Sequence, residues 1–255
     1  VATQRLFAGS TSFDIEFDFV EHQLVVRASV ARKPATIPLR DGLSVAEFYV
    51  AVVAALGGFG IDVPIVAKPY GVASLTTPFA EDREHCSYHA GMVRRWWDGI
   101  RWTSDVFERF AREFAGKQSP VQLFWHSFDL AMARYSGRRA NVAVPSDPVQ
   151  REAYSHEVIA FGFWAGDANV PAPTYYTYTA PEPATLTTFA LRPDGAAWGP
   201  AGNGHMGTIP YDRIRGAADP QAALLAFLHS AYEAGAGAAG WDVGALAHDG
   251  SRVTG

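Results

Sequence analysis

Phe13-Asp14-Ile15-Glu16-Phe17-Asp18-Phe19 alternates an apolar residue with a carboxylate at every step. A period of two belongs to an extended strand, because successive side chains on a strand point to opposite faces. One face of this strand is therefore core and the other is charged. The apolar run Leu24 to Val30 follows a turn-like Glu21-His22-Gln23 and supplies an antiparallel partner. The next period is helical: Ser44 opens a capping box with Glu47, and Val45, Phe48, Val52 and Leu56 recur on one side until Gly57-Gly58. Strands followed by a helix packed on them define an antiparallel α+β unit.

The same grammar continues downstream. A long helix is predicted from about Tyr88 to Ala115, with Trp96, Ile100, Thr103, Phe107, Phe110 and Phe114 in one stripe and Gly116 ending it. Its outer side carries Asp105 with Arg109 and Glu108 with Arg112, acid first at a spacing of four. Val121 to Ala131, Ser155 to Trp164 and Thr174 to Thr179 read as strands, and Asn141 to Pro148 as a linker between two of them. Pro181 to Gly204, rich in Pro and Gly, reads as a surface excursion. Asp219-Pro220 is a cap followed by Pro in the first turn, with Leu224, Phe227, Leu228 and Ala231 on one face. Thr36-Ile37-Pro38, a helix and Gly60-Ile61-Asp62 are echoed by Thr208-Ile209-Pro210, a helix and Gly240-Trp241-Asp242. The expected architecture is α+β, antiparallel sheets with packed helices in a single globular domain, 1–255, from two pseudo-repeated strand-plus-helix halves, 1–80 and 81–255.

Bulk properties narrow the function. The chain has 255 residues, 48% hydrophobic and 18% charged, enough to build a core. A net charge of −5 without a Lys/Arg block gives a phosphate backbone no electrostatic footprint, so nucleic acid is not an expected partner. The longest apolar run, Tyr49 to Phe59, is far short of a bilayer span. A single cysteine, Cys86, suits a reducing compartment, and a cytoplasmic address is expected. Phosphate loops, G-x-S-x-G elbows, C-x-x-C pairs and dinucleotide fingerprints are absent from the sequence, so no cofactor is assigned.

Acid–base residues lie inside strand-like sequence in Phe124-Trp125-His126-Ser127-Phe128-Asp129 and Tyr154-Ser155-His156-Glu157. Burying such groups unpaired costs several kcal/mol, so each is either satisfied locally or used. On a continuous strand Trp125, Ser127 and Asp129 share one face, and Phe124, His126 and Phe128 the other. Asp129 is a candidate to orient a neighbour or a substrate; the alternative is a buried ion pair with Arg134. If the two strands are neighbours, His156 and Asp129 form an oriented acid–base couple. The alternative for His156 is a core histidine without chemistry. Candidate catalytic residues are His156, Asp129, Arg134 and His85; candidate binding residues are Trp125, Tyr154, Glu157 and His126. His85 and His89 have a metal-compatible spacing without an accompanying Glu, and solvation of the Asp14, Glu16, Asp18 face is favoured over a hard cation. Tyr175-Tyr176-Thr177-Tyr178 reads as a packed strand.

The chain resembles a bacterial family described only as a domain of unknown function, number 5996. The resemblance rests on Phe13 to Phe19, Ser44 to Tyr49, Arg83 with His85-Cys86-Ser87-Tyr88, Arg95-Trp96-Trp97, Phe124 to Ala131, Arg134 to Arg139, Glu152 to Val158 and Gly162-Phe163-Trp164. It implies no activity. Family members are expected to carry a longer N-terminal segment with a His- and Trp-rich strand, often a His at the position of Gln122, and in some a Gly at that of His126. Three functional readings remain: a small-molecule enzyme with acid–base or metal-assisted chemistry around His156 and Asp129, a ligand-binding or sensor module with an aromatic pocket, and a structural or partner-binding protein. The first requires those side chains to converge around a pocket; the second requires only the pocket.

Overall fold

Antiparallel pairing organises the chain from its first strand. The computed structural model describes residues 1–70, 75–125, 127–141, 147–167 and 170–248. It resolves into two compact units, Val1–Gly99 and Ile100–Gly255.

In the first unit β1 (Leu6–Ala8), β2 (Thr11–Asp18), β3 (Gln23–Ala28) and β4 (Ala35–Pro38) form a meander in that order. Phe13, Ile15 and Phe17 of β2 join Leu24, Val26 and Ile37 under helix α1 (Val45–Gly58), which contributes Phe48, Val52 and Leu56. The opposite face of β2 is neutralised by cations: Arg27 reaches Glu16 at 2.5 Å and Asp14 at 3.5 Å, and Arg5 reaches Asp14 at 3.4 Å. The capping box forms as read, with the Glu47 N–H donating to Ser44 Oγ and the Ser44 N–H donating to the Glu47 carboxylate. Gly60, at φ +69°, then lets the N–H of Gly60 bond Gly57 O and that of Ile61 bond Leu56 O, a Schellman termination.

The second unit carries β5 (Gln122–Phe124), β6 (Asp129–Arg139), β7 (His156–Trp164), β8 (Thr174–Ala180), β9 (Ala197–Ala201) and β10 (Gly204–Pro210). All pair antiparallel, in the order β5-β6-β7-β8-β10-β9. Leu130, Met132, Ile159, Phe161, Phe163 and Tyr175 form the core side. Against them pack the C-terminal turns of α2 (Ala90–Ala111) and the buried stripe Leu224, Phe227, Leu228 and Ala231 of α5 (Pro220–Ala238). A Cβ on Gly235 would lie within 3.0 Å of Thr179 and Ile159, so α5 approaches β7 and β8 closely where that side chain is absent. The helix ends as α1 does: Gly240 at φ +62° bonds Gly237 O and Trp241 bonds Ala236 O. Short helices α3 (Pro148–Ala153), α4 (Tyr211–Arg215) and α6 (Val243–Leu246) complete the described elements.

Three local readings are corrected. Val121 to Ala131 is not one strand, because β5 and β6 are a hairpin joined at residues 125–128. The turn carries no Gly, Pro or Asn; Phe128 itself takes the left-handed conformation, φ +58°, and its N–H bonds Phe124 O. The excursion 181–204 contains β9, an edge strand, where Pro200 is tolerated, joined to β10 through Gly202-Asn203. The linker before β7 includes α3, capped by Asp147 with Pro148 in its first turn.

Candidate functional site: a carboxylate in a tyrosine-walled cavity

The sheet face of the second unit opposite its core is built from small residues. Ala131 and Ala133 of β6 pair with Gly162 and Ala160 of β7, which pair in turn with Tyr176 and Tyr178 of β8. Small floor and large wall together leave a cavity of about 240 Å³, lined also by Phe124, Asp129, Tyr135, Tyr154 and Val158. The rings of Tyr176 and Tyr178 stand parallel, with centroids 6.3 Å apart and planes 6° from coplanar. The Tyr154 hydroxyl, at the end of α3, donates to that of Tyr178 at 3.4 Å.

Gly162 is what allows Tyr176 to cross the sheet. A Cβ there would lie under 3.0 Å from the ring's Cζ, Cε1 and hydroxyl oxygen. With that space free, the ring passes over β7 and its hydroxyl donates to Asp129 Oδ2 on β6. Ser127 donates to the other oxygen, Oδ1, from the hairpin loop. Asp129 is 6% exposed, while Ser127 is exposed and Tyr176 half-buried, so the carboxylate is more sheltered than its donors.

Burial drives the hydroxyls of Tyr176 and Tyr178 well above the ordinary tyrosine range. For Tyr176 the neighbouring Asp129 charge and hydrogen bond add to it, and for Tyr178 the Tyr154 hydroxyl does. Tyr135 is raised by burial alone. These groups stay protonated at neutral pH, and Tyr176 donates to Asp129.

Residues singled out in the sequence are placed as follows. Asp129 and Tyr154 line the cavity. His156 shares the outer face of β7, but it pairs with Arg139 at the end of the sheet remote from Asp129. Eight residues separate it from Trp164, which lies beside Asp129 in the extended register, about 25 Å of strand at 3.3 Å per residue. Its Nδ1 is 3.0 Å from Ser155 Oγ. Arg134 points to the opposite face, 2% exposed, so the ion pair with Asp129 is not formed. Its guanidinium lies 3.5 Å from the Phe110 ring centroid, 4.9 Å from Phe114 and 4.7 Å from Tyr232, and donates to Phe110 O. Burial lowers its pKa to about 10. Glu157 is held by Arg138 at 2.7 Å and by Ser136 at 2.9 Å. Trp125 is an exposed loop residue whose ring meets Phe128 edge-on at 6.5 Å. His126 lies outside the described residues.

His85 belongs to the first unit. Its Nδ1 is 2.9 Å from the Asp82 carboxylate, which also accepts the backbone N–H of His85 and Glu84. Those backbone bonds, with the ring, hold Asp82 below the usual carboxylate range. The carbonyls of Asp82 and His85 accept from Ala46 and Val45, so this segment seats the start of α1. Among the described residues no three His, Cys, Asp or Glu side chains converge on a metal-sized position.

Sequence reasoning missed Tyr135, Tyr176, Tyr178 and Gly162 as site residues. The signal was parity: Tyr176 and Tyr178 alternate with Tyr175 and Thr177, while Ala160 and Gly162 alternate with Ile159 and Phe161. Large residues on one strand face beside small residues on another describe a groove.

Fold and site together define an α+β protein with a polar-tipped aromatic cavity on the open face of an antiparallel sheet. Residues 1–248 match the model of the family of unknown function DUF5996, and the chain belongs to that family. No curated protein and no solved structure matches it. Among the described residues no helix is long and apolar enough to cross a membrane.

Proposed function

We propose that this protein binds a small organic molecule at the Asp129 cavity of its second unit and acts as a binding or sensor module. The observation that carries the reading is a carboxylate, 6% exposed, at one end of a cavity of about 240 Å³ whose walls include tyrosine and phenylalanine and whose floor is largely alanine. Ligand sites pair apolar walls with few, well-positioned polar groups, and drug-sized ligands occupy roughly 300–1,000 Å³. The smaller volume here suits a metabolite-sized ligand. Acid–base catalysis by His156 with Asp129 is the weaker reading, because about 25 Å of strand lies between them.

The test is a fragment screen by ligand-observed NMR on the parent protein, Ala133→Leu and His156→Ala. Ala133 lines the floor and is half-buried, so the larger side chain fills the cavity without entering the core. Hits should be lost in Ala133→Leu and retained in His156→Ala, with both variants folded by far-UV circular dichroism. Hits that survive Ala133→Leu, or that need His156, would overturn the reading.

A further inference from the structure

We infer that the ligand of this cavity is an organic cation, an ammonium group carrying a small apolar substituent; the inference rests on the binding reading above. Asp129 is the only charged side chain lining the cavity among the described residues. Its two hydrogen bonds come from neutral hydroxyls, those of Tyr176 and Ser127, one to each oxygen. An ionised carboxylate offers about four acceptor positions, so each oxygen keeps one for a further donor. A buried carboxylate is normally paired with a cation, and Arg134, the one buried guanidinium in this strand, is turned to the other face. Among the described residues no cation faces this carboxylate, and the positive charge is assigned to the ligand.

The walls select the same charge. Phe124, Tyr135, Tyr154, Tyr176 and Tyr178 surround the cavity. Aromatic faces carry negative quadrupole density and attract ammonium groups, most strongly where water is excluded. A carboxylate or phosphate ligand would meet Asp129 with no compensating cation on the lining. A neutral ligand could use the hydroxyls but would leave the carboxylate charge unpaired.

Calorimetric titration at pH 7 and low salt with benzylamine, benzyltrimethylammonium, benzyl alcohol and benzoate separates these cases at nearly constant shape. The two cations should bind saturably, benzyl alcohol at least roughly tenfold more weakly, and benzoate not at all. Asp129→Asn, which preserves an acceptor and removes the charge, should bring benzylamine down to the level of the alcohol. If the alcohol or benzoate binds the parent as tightly as benzylamine, or Asp129→Asn leaves benzylamine unaffected, the cation assignment falls while the binding cavity stands. If none of the four binds at millimolar concentration, the binding reading falls with it. Should Asp129→Asn fail to fold, the ratio of benzylamine to benzyl alcohol on the parent protein decides alone.

Discussion

Replacing Gly162 by alanine adds one methyl group and tests the geometry of the whole cavity. The new Cβ would fall under 3.0 Å from three atoms of Tyr176, closer than real Cβ contacts come, with β7 and β8 both fixed by the sheet. The ring must lift, and its hydrogen bond to Asp129 breaks. A hydrogen bond to a charged group is worth about 1.5–3 kcal/mol. Forcing a methyl group into a packed position costs about 1–3 kcal/mol more. The reduced flexibility of the unfolded chain returns about 0.5–1 kcal/mol. The net expectation is a loss of about 2–5 kcal/mol, read from the urea midpoint at unchanged slope. Gly199→Ala on the edge strand β9 is the control: nothing lies within 4 Å of its added Cβ, so it should stay within about 0.5 kcal/mol of the parent. A second readout isolates the bond from general strain. Once displaced, Tyr176 loses its carboxylate partner, and absorbance at 295 nm should show one more tyrosine titrating toward pH 10 in the folded variant. Gly162→Ala behaving like Gly199→Ala in both measurements would refute the claim that the missing side chain positions Tyr176.

Further outcomes are expected from other groups. Tyr175, Tyr176 and Tyr178 are each raised from 10.0 in the fold, so above pH 10 the unfolded chain releases protons the native state keeps, and stability falls; Arg134, lowered from 12.5 to about 10, acts with the opposite sign. The raised tyrosines outnumber the lowered arginine, so stability should fall as the pH rises from 10 to 11, and denaturant titrations with a flat profile from pH 9 to 11 would contradict it. Arg134→Met removes a buried cation that has no carboxylate partner and should be at least about 2 kcal/mol more stable than Arg134→Lys, which keeps the charge but loses the planar stack on Phe110; thermal denaturation ranking Lys above Met would overturn this account. Ser44→Ala removes the acceptor of the Glu47 N–H and should destabilise the first unit by about 1 kcal/mol, seen as faster hydrogen exchange in α1, with no change in binding at the second unit.

Much of the fold was legible because its signals are local. The alternation of Phe13 to Phe19 needs only the strand period and the Ser44–Glu47 box only a spacing of three, whereas α1 runs through Gly57-Gly58, where its end was expected, and terminates at the left-handed Gly60. The site was less legible because it depends on register. Sequence parity put His156 and the cavity on one face of β7, but the pairing of His156 with Arg139, across an irregularity between Tyr135 and Arg139, decides that it stays remote from Asp129. The hairpin at 125–128 was hidden because an aromatic residue fills the left-handed position that glycine or asparagine usually marks. The cavity was hidden because its floor is made by small side chains, at Ala131, Ala133 and Ala160, and because Gly162 makes room for the ring of Tyr176 that walls it.

Two unfavourable choices sit on adjacent residues, the second of which lines that cavity, and their coincidence separates a functional site from a packing defect. Phe128 holds a left-handed backbone at a cost of about 1–2 kcal/mol that glycine would avoid. Asp129 buries a carboxylate between two neutral hydroxyls, one donating to each oxygen, with no cation beside it among the described residues. The turn fixes where β6 begins, and so places Asp129 within reach of the Tyr176 hydroxyl. Neither residue helps the sheet on the core side, which is complete with Leu130, Met132 and the aromatic residues of β7 and β8. Backbone strain and an uncompensated charge directed at one cavity are expected where surrounding structure is holding a group ready for something outside the chain.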